Sequence, residues 1–403
     1  MTRRFSLPLL AGLAALPICL LLGQPASPRP YVVLVSLDGF RYDYAEKYHA
    51  THLLAIGKAG AAAEAMIPSF PTVTFPNHIS IVTGQYPGHH GLVGNSFYDP
   101  LHKEPYSMRD SAAEGAWYHY KPLWVLAEEQ KVKAGAMFWP TADAEIDGVR
   151  PSYWQKYDGG FPNGKRVEKV LEWLKLPEAE RPHFITLYFS DVDSAGHSFG
   201  PDAHETEQAV ERVDKLVGEL WAGIQQIPLP IDLIVVSDHG MQNVMGRVNL
   251  SDYADMSKVR VVNEGPLLFL YSPNPQTTDK MYAKLSGHSP IFDVYRRQET
   301  PERWHYRDSE RVGDLVVYVR GGRVGVTGIP NHGPPRGTHG FDVQEFKTMD
   351  AIFYAAGPNI RPGVQLKPFE NVNVFPLITK ILGLENPAGV DGSFSVLESA
   401  YRN

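Results

Sequence analysis

Residues 31–37 read YVVLVSL, and the next residue is Asp38. The run is apolar, β-branched or aromatic without strict alternation, which marks a strand covered on both faces, as in parallel sheets of α/β domains. Two runs of the same kind follow: FITLYF at 184–189 and IDLIVV at 231–236, with a fourth candidate at Ala351–Ala355. Amphipathic helix patterns lie between them. One runs from Glu205 to Gln226, with Val210, Val213, Leu216, Val217, Leu220, Trp221 and Ile224 at three- and four-residue spacing. Another runs from Arg166 to Leu176, with Val167, Val170, Leu171 and Leu174 on one side. Strands alternating with helices predict an α/β fold with a central, mostly parallel sheet flanked by helices. Residues 259–326 break the pattern with short alternating strand candidates such as Asp314–Arg320, and predict a small inserted subdomain.

The N-terminal MTRRFS carries two arginines and leads into LPLLAGLAALPICLLLG, with small residues around Ala26. That order predicts a signal peptide over residues 1–26 and a catalytic domain over 27–403, secreted or periplasmic, with no membrane segment after cleavage. The alternative is a lone anchor, which Pro8, Pro17 and the small exit residues disfavour. Cys19 is the single cysteine, so the mature chain has no disulfide and relies on its core. A net charge of −7 excludes the basic stripe that long nucleic acids require.

Polar groups follow each apolar strand: Asp38 the first, Asp191 and Asp193 the second, Asp238 and His239 the third. In open α/β sheets the carboxyl edge is where ligands bind. In DVDSAGH, Asp193 and His197 stand four apart with Gly196 expected to bend the chain between them; SDHG supplies Asp238 and His239, and GTHG supplies His339. Three carboxylates and three imidazoles without sulfur are enough for two cations, and imidazole favours zinc or another transition metal over magnesium or calcium. In PTVTFPNH, Thr74 precedes Pro76 and an apolar run, the signature of a helix start with Thr74 at the N-cap. A hydroxyl there also sits at a natural phosphate site.

LDGFR around Asp38, TFPNH around Thr74, GNSFYDP around Asn95, DVDSAGH, SDHGM and GTHG occur in this order. Together they resemble the nucleotide pyrophosphatase/phosphodiesterases of the alkaline phosphatase superfamily, over essentially the whole chain after the leader and in a bacterial-type catalytic domain alone. The resemblance implies two Zn2+ ions per chain, one held by Asp193, His197 and His339, the other by Asp38, Asp238 and His239, with Thr74 at the bimetallic centre as both a metal ligand and the nucleophile. It further implies that Asn95 and the backbone N–H of Phe75 face phosphoryl oxygens, and that Phe75 and Tyr157 clasp a nucleobase. Asp191 takes a supporting place, and His78, His89, His90 and His332 receive no role. Small nucleotides such as ATP and dinucleotides are the implied substrates. Two rivals share the chemistry: a choline-type phospholipid phosphodiesterase, and a monoesterase like alkaline phosphatase. The second is disfavoured because no arginine is evident near Thr74 or Asn95.

Overall fold

The computed structural model describes Thr2, residues 29–328, Pro330 and residues 333–403. The leader reading therefore falls, Thr2 apart, outside the described residues, as does His332. An eight-stranded sheet runs in the order Val364–Leu366, Ala61–Ala63, Phe353–Ala356, Ile231–Val236, Tyr31–Leu37, Phe184–Phe189, Ala134–Met137, Tyr153–Trp154. The five strands from Ile231–Val236 onward are mutually parallel. Phe353–Ala356 replaces the expected Ala351–Ala355 strand and differs in direction, pairing antiparallel with both neighbours. The sheet is thus mixed at one side and parallel where the polar residues emerge.

Alternate residues of the central strand enter opposite cores, and this explains its unbroken apolar run. Val32 and Leu34 pack on one side with Ile79, Ile81 and Val82 of the Thr74–Thr83 helix and with the Val374–Leu382 helix. Val33, Val35 and Leu37 pack on the other with Val210, Val213, Val217 and Leu220, all fully buried on the His204–Gln225 helix. Each such side chain contributes about 1.5–3 kcal/mol by leaving water. The second helix spans Asn163–Leu174, starting three residues before the expected Arg166 because Pro162 precedes its first turn in an extended conformation.

Register decides where the chemistry sits. Ser36 pairs with Tyr188 on one neighbour and Val236 on the other, so Asp38, Ser190 and Asp238 leave the sheet at one level. A smaller antiparallel sheet, ordered Arg260–Glu264, Leu267–Tyr271, Leu315–Val319, Phe292–Arg296, packs beside this edge. Among the described residues no helix is long and apolar enough to cross a membrane.

Candidate functional site

Three strand ends, the start of the Thr74–Thr83 helix and the 337–340 loop converge at the carboxyl edge. Thr74 is the first residue of its helix and not the N-cap: Val73 holds that place in an extended conformation, with no side-chain cap. The Thr74 hydroxyl instead points outward, with Oγ1 3.2 Å from His239 Nε2. Asp193 and His197 also converge for a different reason from the one expected. Residues 191–199 form a helix, so four-residue spacing alone puts both side chains on one face. Gly196 is no bend; a Cβ there would lie 2.9 Å from Met241, so it allows close packing. Gly39, at φ 69°, lets the chain turn past Asp193, whose Cα would sit 2.8 Å from an added Cβ.

The donor atoms form two groups that meet at His239. His197 Nε2 and His339 Nε2 stand 3.1 Å apart, and each faces Asp193 Oδ1, at 3.3 and 3.6 Å. His239 Nε2 faces Asp38 Oδ1 at 3.6 Å and Asp238 Oδ2 at 3.0 Å. The His239 and His339 rings stack at 3.7 Å. Each imidazole has its Nδ1 at a backbone carbonyl: His197 at Gly337, His239 at Gly240, His339 at Thr72, at 2.9–3.0 Å. A carbonyl can only accept, so Nδ1 carries the proton and the Nε2 lone pairs face the cluster, the usual arrangement of metal-ligating histidine.

The carboxylates show the same division of labour. Asp38 Oδ2 accepts from the Tyr188 hydroxyl at 2.5 Å, and Asp238 Oδ1 accepts from the Gly39 N–H at 3.1 Å. The remaining atoms, Asp38 Oδ1, Asp193 Oδ1 and Asp238 Oδ2, are buried with no hydrogen-bond partner among the described residues. Unpartnered buried carboxylate oxygens are costly, and a cation among lone pairs and oxygens would relieve them. The electrostatics are mixed. Burial, then the charges of Asp238 and Asp193, push the Asp38 carboxyl well above its usual range. Burial lowers His197 and His239, but the charges of Asp193 and Asp238 outweigh it, raising His197 to about 8 and His239 above its ordinary value. Burial, then the neighbouring His239 and His197, hold His339 well below the usual imidazole range. The residues present fit a pair of metal ions. Asp191 stands outside this cluster, accepting from Asn163 Nδ2 at 2.8 Å.

A cavity of about 400 Å³ opens beside Thr74, with Asp38 and Asp193 on its floor and Phe75, Phe138, Trp139, Pro140 and Tyr157 among its walls. Phe138 sits at φ 66°, costly for a bulky residue at about 1–3 kcal/mol. The buried Arg166 guanidinium lies 4.9 Å from its ring and secures it. The backbone N–H of Phe75, expected to face substrate, is taken: it donates to Asn95 Oδ1 at 2.9 Å. Asn95 Nδ2 is thereby the free end.

Four residues of this region have no role assigned from the sequence. Arg109 lines the cavity, although no arginine was expected there; the Ser96–Asp99 and Glu104–Ser107 hairpin returns it to Asn95, whose carbonyl accepts from the Met108 N–H. Tyr188 anchors Asp38. His78 lies fully buried with Nδ1 2.8 Å from the Thr74 carbonyl and Nε2 2.8 Å from Ser36 Oγ; its four-residue spacing from Thr74 was the only available hint. Glu264 accepts the backbone N–H groups of Asn95 and Ser96.

The family described as type I phosphodiesterase / nucleotide pyrophosphatase matches residues 32–342. Ectonucleotide pyrophosphatase/phosphodiesterase family member 1 of Mus musculus is 38% identical over 91% of this chain and 42% of its own length. A pyrophosphatase/phosphodiesterase of Schizosaccharomyces pombe is 32% identical over 88% of this chain and 77% of its own. The chain spans less than half the length of the mammalian relatives it matches. Among solved structures, murine ectonucleotide pyrophosphatase/phosphodiesterase 5, an inactive threonine-to-alanine variant in complex with AMP, superposes with a TM-score of 0.88 at 28% identity, covering 93% of this chain and 100% of that one.

Proposed function

The chain belongs to the type I phosphodiesterase / nucleotide pyrophosphatase family, and from that membership we propose that it is a zinc-dependent hydrolase of small nucleotides, acting through a covalent Thr74 intermediate and releasing nucleoside 5′-monophosphates. The observation that carries this reading is the set of three orphaned carboxylate oxygens and three inward Nε2 atoms around Thr74, at the floor of an aromatic-walled cavity. Asp193, His197 and His339 would hold one zinc ion, and Asp38, Asp238 and His239 the other, with Thr74 between them. Bound there, zinc supplies Lewis acidity, lowering the pKa of a hydroxyl and drawing charge from phosphoryl oxygens.

Thr74 Oγ1 attacks phosphorus in line, and the alcohol or pyrophosphate group departs from the opposite side. Asn95 Nδ2, with its amide oxygen fixed by Phe75, donates to a phosphoryl oxygen as charge builds on it. Water entering where the leaving group stood then cleaves the Thr74 diester and frees the monophosphate. Phe75 and Tyr157 flank the base, and the remaining aromatic wall excludes water. We place the catalytic domain at residues 27–403, with 259–326 as an insertion and 1–26 as a leader directing the enzyme out of the cytoplasm.

Arg109 in the cavity removes one argument against a monoesterase. The aromatic walls take its place, because they suit a planar base and have nothing to offer a bare phosphate. The solved relative holding AMP supports the same reading. A substrate panel decides: nucleoside 5′-monophosphate should appear from ATP and dinucleotides much faster than products appear from a lysophosphocholine or p-nitrophenyl phosphate. A preference for either of the last two would overturn it.

A further inference from the structure

Glu264 ends the edge strand Arg260–Glu264 of the smaller sheet and, partly buried, turns its carboxylate to the main domain's site. Among the described residues no cation pairs with it. Its partners are two backbone donors in succession: Oε2 accepts the Asn95 N–H at 2.7 Å and Oε1 the Ser96 N–H at 2.9 Å. Even a partly buried carboxylate without a counter-charge carries a desolvation cost. Burial pushes this carboxyl up, and the two N–H groups oppose that shift by holding its charged form. An apolar side chain would serve packing alone at lower cost, so the carboxylate calls for a purpose that packing does not supply.

That purpose lies one residue away. Asn95 is held at three points: its N–H by Glu264, its carbonyl by the Met108 N–H at 2.8 Å, and its Oδ1 by the Phe75 N–H at 2.9 Å. With Oδ1 occupied, Nδ2 is the only end left for a substrate, and it has no partner among the described residues. Gly94 brings the turn against Glu264: an added Cβ would lie 3.2 Å from the carboxylate carbon. Of the three anchors, only Glu264 comes from the smaller sheet.

We propose that Glu264 is a positioning residue for phosphoryl transfer: the smaller sheet reaches through its carboxylate to fix the Asn95 backbone, and so the aim of Asn95 Nδ2 at the phosphoryl oxygen. This rests on the role given to Asn95 above. A transition-state donor that loses its aim costs turnover and leaves ground-state binding largely intact. Glu264→Gln keeps volume but sets an amide N–H against a backbone donor.

The test is a double-mutant cycle in the full chain with bis-p-nitrophenyl phosphate, which carries no nucleobase. Asn95→Ala should lower kcat by about 100- to 1,000-fold. Glu264→Gln should lower kcat by about 10- to 100-fold with KM changed by less than about threefold. In the Asn95→Ala background, Glu264→Gln should cost less than about twofold further, because nothing is left to aim. Multiplicative losses, or full activity in Glu264→Gln, would overturn the positioning role and leave that of Asn95 standing. An Asn95→Ala enzyme with undiminished kcat would overturn both. If Glu264→Gln fails to fold, by thermal melting, Glu264→Asp keeps the charge with a shorter reach and is judged by the same cycle.

Discussion

Thr74 Oγ1 lies 3.2 Å from His239 Nε2, the one nitrogen that also faces Asp38 and Asp238 across 3.6 and 3.0 Å. The hydroxyl therefore belongs to the donor set at the strand ends, and the helix start delivers it there without using it as a cap. Replacing Thr74 removes an oxygen and no ligand from the carboxylate–imidazole groups. Thr74→Ala should retain its metal content and its melting temperature while kcat falls by about 1,000-fold or more. Thr74→Ser, which keeps the hydroxyl, should recover a measurable part. Denaturing Thr74-containing enzyme during turnover should leave phosphorus covalently attached; an alanine variant as active as the native enzyme would refute the intermediate.

Two donor groups that share a boundary at His239 predict separable metal sites. Elemental analysis of purified protein should give about two zinc equivalents, and His197→Ala or His339→Ala about one. Chelation should remove activity and lower the melting temperature, since Asp38, Asp193 and Asp238 are then left facing one another. Zinc should restore both. Full activity with a single equivalent would contradict the scheme.

A second ion cluster lies away from the site and predicts a pH dependence of stability. His89 places Nδ1 2.8 Å from Asp391 and Nε2 3.2 Å from Asp308, with the Tyr86 ring beside it. Partial burial depresses its pKa, but the hydrogen bond and charge of Asp391, then those of Asp308, outweigh that and raise it above the ordinary 6.5. A histidine raised in the fold contributes its stability fully below the unfolded value and loses it as pH rises through the folded one. His89→Ala should thus melt below the native protein by about 1–2 °C at pH 5.5, with a smaller gap at pH 9. An equal gap at both pH values would show that the charge of His89 adds no stability through Asp391 and Asp308.

What was legible in the sequence follows from how local each signal is. The strand exits at Asp38 and Asp238, and the start of the helix that carries Asp193, are legible because a covered parallel strand is an apolar run and polar residues follow it directly. Asp193 and His197 were paired for the wrong reason, since a helix and a glycine bend both satisfy a four-residue spacing. Phe353–Ala356 could not be given a direction, because a buried strand looks the same running either way. Glu264 stands 169 residues from Asn95, and no periodicity links a turn in one sheet to an edge strand in another. Arg109 was hidden similarly, placed by a hairpin register that composition does not specify.

Tyr157 is the residue on which the substrate class turns. It is 49% exposed, large for a ring held only by packing, and its contacts are edge-on: Phe138 at 5.4 Å and Tyr188 at 6.1 Å. Neither contact is a stack on the ring, and Tyr157 lines the cavity with Phe75 among the other walls beside Thr74. Stacking on a base is worth about 1–3 kcal/mol per aromatic side chain, so Tyr157→Ala should cost roughly ten- to hundredfold in kcat/KM for ATP or a dinucleotide. Bis-p-nitrophenyl phosphate should lose less, although its own rings can borrow the clamp. The measurement is therefore a ratio, kcat/KM for nucleotide over small diester, in native enzyme and variant. Because Tyr157 touches neither the carboxylates nor Thr74, a uniform fall in both substrates would mean a disturbed wall at Phe138 and Tyr188. If neither substrate loses rate, Tyr157 is a surface aromatic, and the lipid-headgroup substrate is favoured over the nucleotide.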